Sequence, residues 1–402
     1  MTASRIAGSA AAAIFLLLVG ACASPQATRQ AEQPQQPPEQ VVLPEDEMAR
    51  PFYDDGRTRV ALLAPLSGEH APVGQALVNA AQMALFDIGE DDFALSVKDT
   101  AAGGGGLDLA MEEAIEEGAQ LVLGPLFASD VRAVRGPAMG AGLPLLVFSN
   151  DRTLAGDGVY VMGLTPQSEV ERVADYAQRN GLRRVGLLMP DSAFGDAIRS
   201  ALRDATQRFG GELVEVVTYD PRSPDFSQPV RQFAQGATSR YDAILVPAGG
   251  RELLSLAAQL ANYNVDPSQI QYLGTRLWEN RALGAEPALA GGWFASPARS
   301  SWERFAERYR EIYDARPPRI ASVAYDSTAM AAALAQDAAQ NGNDRPYDRN
   351  SLENPNGFAG VDGLFRLQSN GHVERGLAVY ELQRDAFNEL EEAPRSFEPL
   401  IN

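Results

Sequence analysis

Residues 58 to 88 read TRVALLAPLSGEHAPVGQALVNAAQMALFDI. The first seven residues form an apolar run with a leucine pair, which is typical of a β-strand buried on both faces. A turn containing proline, serine and glycine follows, and after it apolar residues recur at helical spacing. The helical stripe consists of Val73, Leu77, Ala80, Ala84 and Ile88. The segment therefore predicts a strand followed by a helix, which is the repeating element of a parallel α/β sheet.

The same alternation of apolar run, turn and alanine-rich helix continues along the chain. The further strand candidates are FALSVKDT, AQLVLGP, PLLVFSN, RRVGLLMP, ELVEVVTY, YDAILVPA, IQYLGT and GGWFAS. This pattern predicts an α/β fold. A folded body longer than about 300 residues exceeds what one hydrophobic core usually serves, so we expect two lobes.

The βα rhythm ends near the carboxyl terminus. Residues 363 to 382 read GLFRLQSNGHVERGLAVYEL, in which two alternating runs flank Ser369, Asn370 and Gly371. Alternating apolar runs on either side of an Asn-Gly turn are a strong hairpin signal. We therefore expect antiparallel pairing in this part of the chain.

The order of these pieces resembles the type 1 periplasmic binding proteins of the leucine/isoleucine/valine-binding class, over about residues 57 to 385. The likeness is carried by LLAPLSG, DTAAGGGG, LVLGPLFASD, LPLLVFSND, PDSAFGDAIRSAL and the terminal hairpin, in that order. The resemblance implies two α/β lobes joined by three crossovers, each lobe a parallel sheet flanked by helices. We predict lobe 1 at 57–165 and 276–356, lobe 2 at 166–275 and 357–392, and a tail at 393–402.

The amino terminus is predicted to carry a lipid. Residues 1–21 read as a signal peptide, with Arg5 ahead of a short apolar run. The sequence VGAC, which ends at Cys22, resembles the lipobox of bacterial lipoproteins, which implies cleavage before this cysteine and acylation of its thiol. No aspartate follows Cys22, which implies sorting to the periplasmic face of the outer membrane. The alternative is a buried free cysteine in an amino-terminal helix.

Residues 22–56 are predicted to be a disordered tether. This segment is rich in proline and glutamine and nearly free of large apolar groups, so it cannot offset the entropy cost of ordering. Extended at about 3.1 Å per residue, it could hold the folded body up to roughly 100 Å from a membrane.

Several segments are most similar to the penicillin-binding-protein activators, which are outer-membrane lipoproteins that stimulate a peptidoglycan synthase. The segments are LLAPLSGEHAPVGQALVNAAQMAL, DTAAGGGG, GAQLVLGPLFASDVRAV and VYVMGLTPQSEVERVADYA. The better-known members carry a large helical-repeat domain between lipid and fold, whereas a tether fills that place here.

Ligands of open parallel sheets bind beyond the carboxyl ends of strands, so the turns after each strand predict a cleft lining. In lobe 1 these turns contain Ser67, then Ala128 with Ser129, then Ser149 with Asn150. In amino-acid-binding members of the family, a hydroxyl residue in the turn after the third strand holds the ligand carboxylate, and that position falls on Ala128. The alternative for Ser129 is a helix N-cap.

In lobe 2 the resemblance carries an aromatic lid residue onto Phe194, with burial in the core as the alternative. The family often places an acid after the strand ILVPA, and Glu252, beside Arg251, is the nearest. The alternative for Glu252 is a solvated carboxylate favoured by the helix dipole. Taken together, the set that would recognise an amino acid is incomplete.

Composition excludes other classes. A formal net charge of −19 opposes direct nucleic-acid binding, which needs a basic surface. With only His70 and His372 available, no Ser/His/Asp set or metal site can be assembled, so we expect no enzyme activity, metal or cofactor. We expect a lipid-anchored envelope protein that contacts a peptidoglycan synthase. The alternative is an ABC-transporter substrate-binding lipoprotein for an amino acid or amide, and a third hypothesis is an envelope hydrolase.

Overall fold

The computed structural model describes residues 56–89 and 93–397. The predicted signal peptide, Cys22 and all of the predicted tether except Gly56 lie outside the described residues. The described part contains two large β-sheets and one small one, each covered by helices.

The first sheet is entirely parallel, with strand order β2-β1-β3-β4-β5. Its strands are β1 (Thr58–Ala64), β2 (Phe93–Asp99), β3 (Leu121–Leu123), β4 (Leu145–Val147) and β5 (Val159–Val161). Its connecting helices are α1 (Ala71–Ile88), α2 (Gly106–Glu116) and α3 (Ala128–Gly140). The predicted strand and helix within residues 58 to 88 are confirmed, whereas β5 was not among the predicted strands.

The second sheet begins with five parallel strands, in the spatial order β10-β9-β8-β6-β7. They are β6 (Arg184–Pro190), β7 (Glu212–Tyr219), β8 (Ala243–Leu245), β9 (Gln271–Gly274) and β10 (Trp293–Ser296). The helices of this lobe are α4 (Pro166–Arg179), α5 (Ala193–Phe209), α6 (Ser227–Ala234), α7 (Ala237–Arg240) and α8 (Gly250–Asn262).

The chain then returns to the first lobe. Three helices and three antiparallel strands follow: α9 (Arg299–Tyr313), α10 (Ala321–Asn341), α11 (Arg349–Leu352), β11 (Phe358–Gly360), β12 (Gly363–Leu367) and β13 (Val373–Arg375). Strands β12 and β13 flank the Asn-Gly turn, which confirms the predicted hairpin. Two last strands, β14 (Ala378–Gln383) and β15 (Ala386–Glu391), add antiparallel pairs to the second sheet beside β10.

Strand pairing corrects the predicted lobe boundaries. Strand β10 pairs with β9 and β14, so residues 276–296 belong to lobe 2 rather than lobe 1. Strands β11 to β13 instead join the lobe 1 core, where Phe365 and Leu367 are buried with Leu62. The chain therefore passes between lobes near 162–165, 297–298 and 376–377. The predicted boundaries had placed the second and third passages about twenty residues too early.

Each large sheet is buried on both faces. In β1, Leu62 belongs to the apolar cluster that contains α1 and α10, whereas the adjacent Leu63 belongs to the cluster that contains α2 and α3. Both side chains are fully buried. Alternate side chains of one strand thus fill two cores, which is why the strand sequences are nearly continuously apolar.

Helix α1 is held against the turn after β1 by a glycine. A Cβ built on Gly74 would lie 1.8 Å from the carbonyl oxygen of Pro65, and that backbone oxygen has no free rotation that could relieve the contact. The absence of a side chain at residue 74 therefore sets how closely the first helix approaches the first strand.

We expect Gly74→Ala to destabilise the protein by about 2–3 kcal/mol, because α1 must move away from Pro65. The matched control is Gly136→Ala, where a Cβ meets nothing within 4 Å in α3. That change should stabilise the helix by about 0.5–1 kcal/mol. Urea unfolding of both variants measures the two effects, and equal stabilities would contradict the packing argument.

Candidate functional site

The turn after β1 is bonded to the turn after β2. The carboxylate of Asp99 accepts hydrogen bonds from the backbone N–H of Leu66 at 2.7 Å and of Ala101 at 2.9 Å. The backbone N–H and hydroxyl of Ser67 face the same carboxylate. Burial would raise the pKa of Asp99, but these donors together lower it below its ordinary value. Ser67, a predicted cleft residue, is thus engaged within its own lobe.

The turn after β3 differs from the prediction for Ser129. Helix α3 begins at Ala128, so the cap position is occupied by Phe127, which makes no side-chain capping bond. Ser129 is exposed, and its hydroxyl donates to Asp130 Oδ1 at 3.0 Å. The N-cap alternative is therefore wrong. The Phe127 ring instead packs on His70, with ring centroids 4.8 Å apart, which joins this turn to the one after β1.

The turn after β4 is also satisfied internally. Ser149 is buried, and its hydroxyl accepts a hydrogen bond from the backbone N–H of Asp151 at 3.1 Å. Asp151 in turn accepts from the backbone N–H of Thr153 and pairs with Arg132 at 2.6 Å. Of the two cleft residues predicted in this turn, Ser149 is buried and Asn150 is exposed to solvent.

In lobe 2, the turn after β6 is capped by Ser192, whose hydroxyl accepts from the backbone N–H of Gly195 at 3.2 Å. Phe194 is half-buried and packs against the apolar cluster that contains Val170, Ile198 and Leu202. The structure therefore places Phe194 at the margin of the lobe 2 core.

Helix α8 begins after β8 and carries the last two predicted cleft residues. Arg251 is exposed in its first turn. Glu252 Oε1 accepts a hydrogen bond of 2.5 Å from the hydroxyl of Tyr219, which lies at the end of β7. Burial, followed by the Glu252 carboxylate, raises the pKa of Tyr219 well above its usual range. Glu252 is therefore half-buried and bonded through one of its two carboxylate oxygens, so it is not the solvated carboxylate of the alternative.

One exposed apolar side chain at this edge escaped prediction. Leu277 follows β9, is 45% exposed and lies against Gly249, where a Cβ would stand 3.1 Å from the Leu277 Cβ. An isolated leucine in a loop gives no periodic signal, so only the close approach of Gly249 identifies its place.

Charged side chains form hydrogen bonds beside the first passage between the lobes. Glu169, in the first turn of α4, accepts from the backbone N–H of Arg276 at 2.9 Å and from its Nε at 3.2 Å. Burial raises the pKa of Glu169, while Arg276 opposes that effect. At the same passage, the Met162 carbonyl accepts from Arg375 Nη2 at 2.7 Å.

The other two passages have similar contacts. Glu279 accepts from Arg299 Nη1 at 3.1 Å and from the Ser296 hydroxyl at 2.9 Å, on both sides of the second passage. The Leu377 carbonyl, in the third passage, accepts from Arg172 Nε at 2.7 Å. These partners lie up to 205 residues apart in the chain, so no local motif could reveal them.

Within residues 56–89 and 93–397, no helix has the length and apolar character needed to cross a membrane. The same residues contain no group of three or more His, Cys, Asp or Glu side chains placed to hold a metal ion.

A family model for periplasmic binding proteins matches residues 57–386. The chain belongs to the periplasmic binding protein family. Over 175 residues it is 28% identical to the penicillin-binding protein activator LpoA of Pasteurella multocida, which covers 42% of this chain and 29% of that protein. The chain thus spans about a third of the length of the curated activators it matches.

Solved structures confirm the fold. The C-domain of LpoA from Haemophilus influenzae, described as a regulator of PBP1A, aligns with a TM-score of 0.64 at 18% identity, covering 83% of this chain and 100% of that one. A branched-chain amino acid ABC transporter periplasmic ligand-binding protein from Burkholderia xenovorans also gives 0.64, at 17% identity, covering 85% and 96%. The two-lobed type 1 fold predicted from the sequence is confirmed.

We expect Asp99→Asn to cost about 1–2 kcal/mol at pH 7, because the amide loses charge-assisted acceptance from Leu66 and Ala101. The folded pKa of Asp99 is lowered, so its contribution is present above the unfolded pKa of about 3.9 and is lost as pH falls through the folded value. The penalty should therefore shrink below about pH 4.

Urea unfolding at pH 7 and pH 3.5 measures this difference. Asp344→Asn is the matched control, since Asp344 is exposed and makes no hydrogen bond or ion pair with the described residues. It should change stability by less than about 0.5 kcal/mol at either pH. An Asp99→Asn penalty of the same size at both pH values would contradict the role of the ionised carboxylate.

Proposed function

We propose that this protein is a non-enzymatic envelope lipoprotein, anchored through Cys22 at the periplasmic face of the outer membrane, that regulates peptidoglycan synthesis by contacting a synthase. The VGAC sequence ending at Cys22 supports the anchor. The similarity to LpoA proteins supports the role, although it spans only part of those proteins. A specific contact of this kind should bury at least about 1,000 Å².

The observation that carries this proposal is the internal engagement of the predicted ligand residues. A transport receptor for amino acids needs a hydroxyl for the ligand carboxylate and an acid for its ammonium. Here Ser67 faces Asp99, the Ser149 hydroxyl accepts from Asp151, and Glu252 accepts from Tyr219. Redirecting the Ser67 hydroxyl or Glu252 Oε1 to a ligand would leave the Asp99 carboxylate or the Tyr219 hydroxyl without that hydrogen bond.

The second candidate function is an ABC-transporter substrate-binding lipoprotein for an amino acid or amide. The specific observation in its favour is the alignment with an amino acid ABC transporter ligand-binding protein over 85% of this chain. The exposed Asn150, Arg251 and Leu277 remain available at the strand ends for such a ligand.

We expect the detergent-solubilised full chain, used as bait, to retain a peptidoglycan synthase from its own envelope extract. Adding the purified chain to that synthase should raise the rate of glycan polymerisation. An unrelated acidic lipoprotein serves as the control for nonspecific retention. Absence of both retention and rate change would end the synthase proposal.

A thermal-shift screen of amino acids and amides separates the two candidates. A ligand at 100 times its Kd adds about 2.7 kcal/mol of apparent stability. A flat screen supports the synthase role, whereas a strong shift with one amino acid, together with no synthase binding, would assign the protein to transport.

We expect Cys22→Ser to move the protein from the membrane fraction to the soluble periplasmic fraction, because several acyl chains are needed for firm anchoring. Ala23→Asp should keep the lipid but redirect the protein to the inner membrane, and Ser24→Ala should change neither property. Membrane fractionation with immunodetection measures all three. Unchanged fractionation of Cys22→Ser would contradict the anchor.

A further inference from the structure

A groove of about 580 Å³ lies on lobe 1, away from the strand ends, between the end of α1, helices α9 and α10, and strand β11. This volume is within the range of pockets that enclose a small ligand or a few residues of peptide. Ile88 and Tyr325 are its partly exposed apolar side chains, and the buried Met83 and Phe305 lie beneath them. The Phe305 and Tyr325 rings meet edge to face with centroids 5.4 Å apart, which fixes their positions.

One side of the groove is an unpaired strand edge. Strand β11 is the outer strand of its sheet, and Ala359 is paired opposite Leu364 of β12. The Leu364 carbonyl accepts from the backbone N–H of Gly376, on the side away from β11. Ala359 and Leu364 therefore form a non-hydrogen-bonded pair. In such a pair each residue points its N–H and C=O groups away from the other. Ala359 thus directs its N–H and C=O outward, and neither group has a hydrogen-bond partner among the described residues.

This edge is held rigidly by α10. The Asp326 carboxylate accepts from the backbone N–H of Val361 at 2.6 Å and of Asp362 at 3.3 Å, in the turn after β11. A Cβ on Gly360 would lie 2.4 Å from Asp326 Oδ2, so only glycine allows this approach. The strand edge is therefore fixed in place before any partner arrives.

Two arginines give the groove its charge. Arg308 pairs with Asp87 at 2.5 Å, and Asp87 also accepts from the Tyr325 hydroxyl at 2.6 Å. Arg304, one turn earlier on α9, has the Ser301 hydroxyl as its partner, at 3.1 Å, and no carboxylate among the described residues. The chain has a formal net charge of −19, yet the Arg304 guanidinium has no carboxylate partner among the described residues. It is therefore suited to bind a carboxylate of another molecule.

We propose that this groove binds an extended segment of a partner protein in which an acidic residue is flanked by apolar residues. The segment adds to the outer edge of β11 through Ala359, directs its acidic side chain to Arg304 and packs its apolar side chains on Ile88 and Tyr325. Addition of a strand to an exposed edge gives affinity through the main chain and specificity through side-chain pockets. The proposal does not depend on the synthase role or on the lipid anchor.

Fluorescence polarisation with the full chain in detergent tests this assignment. The probes are labelled, end-capped pentapeptides with glutamate between two leucines, and the matched set has lysine in place of glutamate. We expect saturable binding of the glutamate set and at least about tenfold weaker binding of the lysine set.

Two substitutions test the two contacts separately. Arg304→Gln should weaken binding about tenfold by removing the charged donor. Ala359→Pro should do the same by removing the outward N–H, while the β11–β12 ladder keeps its hydrogen bonds. Arg310→Gln is the matched control, since Arg310 is exposed on the same helix outside the groove, and it should bind as the unchanged chain does. Thermal melting checks that each variant is folded.

Three results would overturn the proposal. The first is the absence of binding to any glutamate peptide. The second is equal affinity of the Arg304→Gln, Ala359→Pro and Arg310→Gln variants. The third is binding that appears only after residues 22–55 are removed, which would assign the groove to the chain's own tether instead of a partner.

Discussion

Burial of the parallel strands on both faces is the constraint on which the rest of this molecule depends. Leu62 and Leu63 are adjacent in β1, and each is fully buried in a different apolar cluster. A strand that fills two cores has no face left for polar chemistry. Charged and hydroxyl side chains therefore gather in the turns at strand ends, on the helix surfaces and in the passages between lobes, and Asp326 and Asp362 are buried exceptions.

The polar residues in the turns serve largely to hold those turns together. Asp99 binds the backbone of the turn after β1, Asp151 is bonded to Thr153 and Arg132, and Glu252 accepts from Tyr219. Each acid satisfies donors that would otherwise be left unpaired close to the core. The acids at these turns thus contribute to the stability of the fold. Arg304 differs, because its charge has no carboxylate partner in the described residues.

The spacing of apolar residues predicted those strands and helices whose burial leaves a pattern in the local sequence. The long apolar strands and helix α1 were found because burial on two faces leaves a signal in every residue of the segment. Strand β5, Val159–Val161, follows β4 with only a short 3₁₀ helix between them, so it falls outside the alternation of strand and α-helix on which the prediction relied. The lobe boundaries failed for another reason, since β10 and β14 pair across 82 or more residues. Ser129 shows the same limit for a single side chain. A serine beside a helix start looks like a cap, yet the cap position lies two residues earlier, at Phe127.

The buried charges around β11 show why such features escape sequence analysis. Asp326 and Asp362 are both buried, Asp362 pairs with Arg319 at 2.6 Å, and the half-buried Arg375 lies beside them. Burial, followed by the neighbouring Asp362, raises the pKa of Asp326 to about 7, while Arg375 opposes the shift. A carboxyl whose folded pKa is raised favours folding while it is protonated, and the fold is weakened as pH rises from the unfolded pKa toward the folded one.

The hydrogen bonds that Asp326 accepts from Val361 and Asp362 oppose this cost, and they are the bonds that fix the edge of β11. Arg375 lies in the same cluster and also donates to the Met162 carbonyl at the first passage between lobes. One set of buried charges therefore holds both the strand edge of the groove and the chain where it leaves lobe 1. Removal of Arg319 would leave the buried Asp362 carboxylate without its ion-pair partner, which is far more costly than the loss of a surface ion pair. The position of this strand edge is thus as firmly determined as the core itself, although no residue near it carries a recognisable motif.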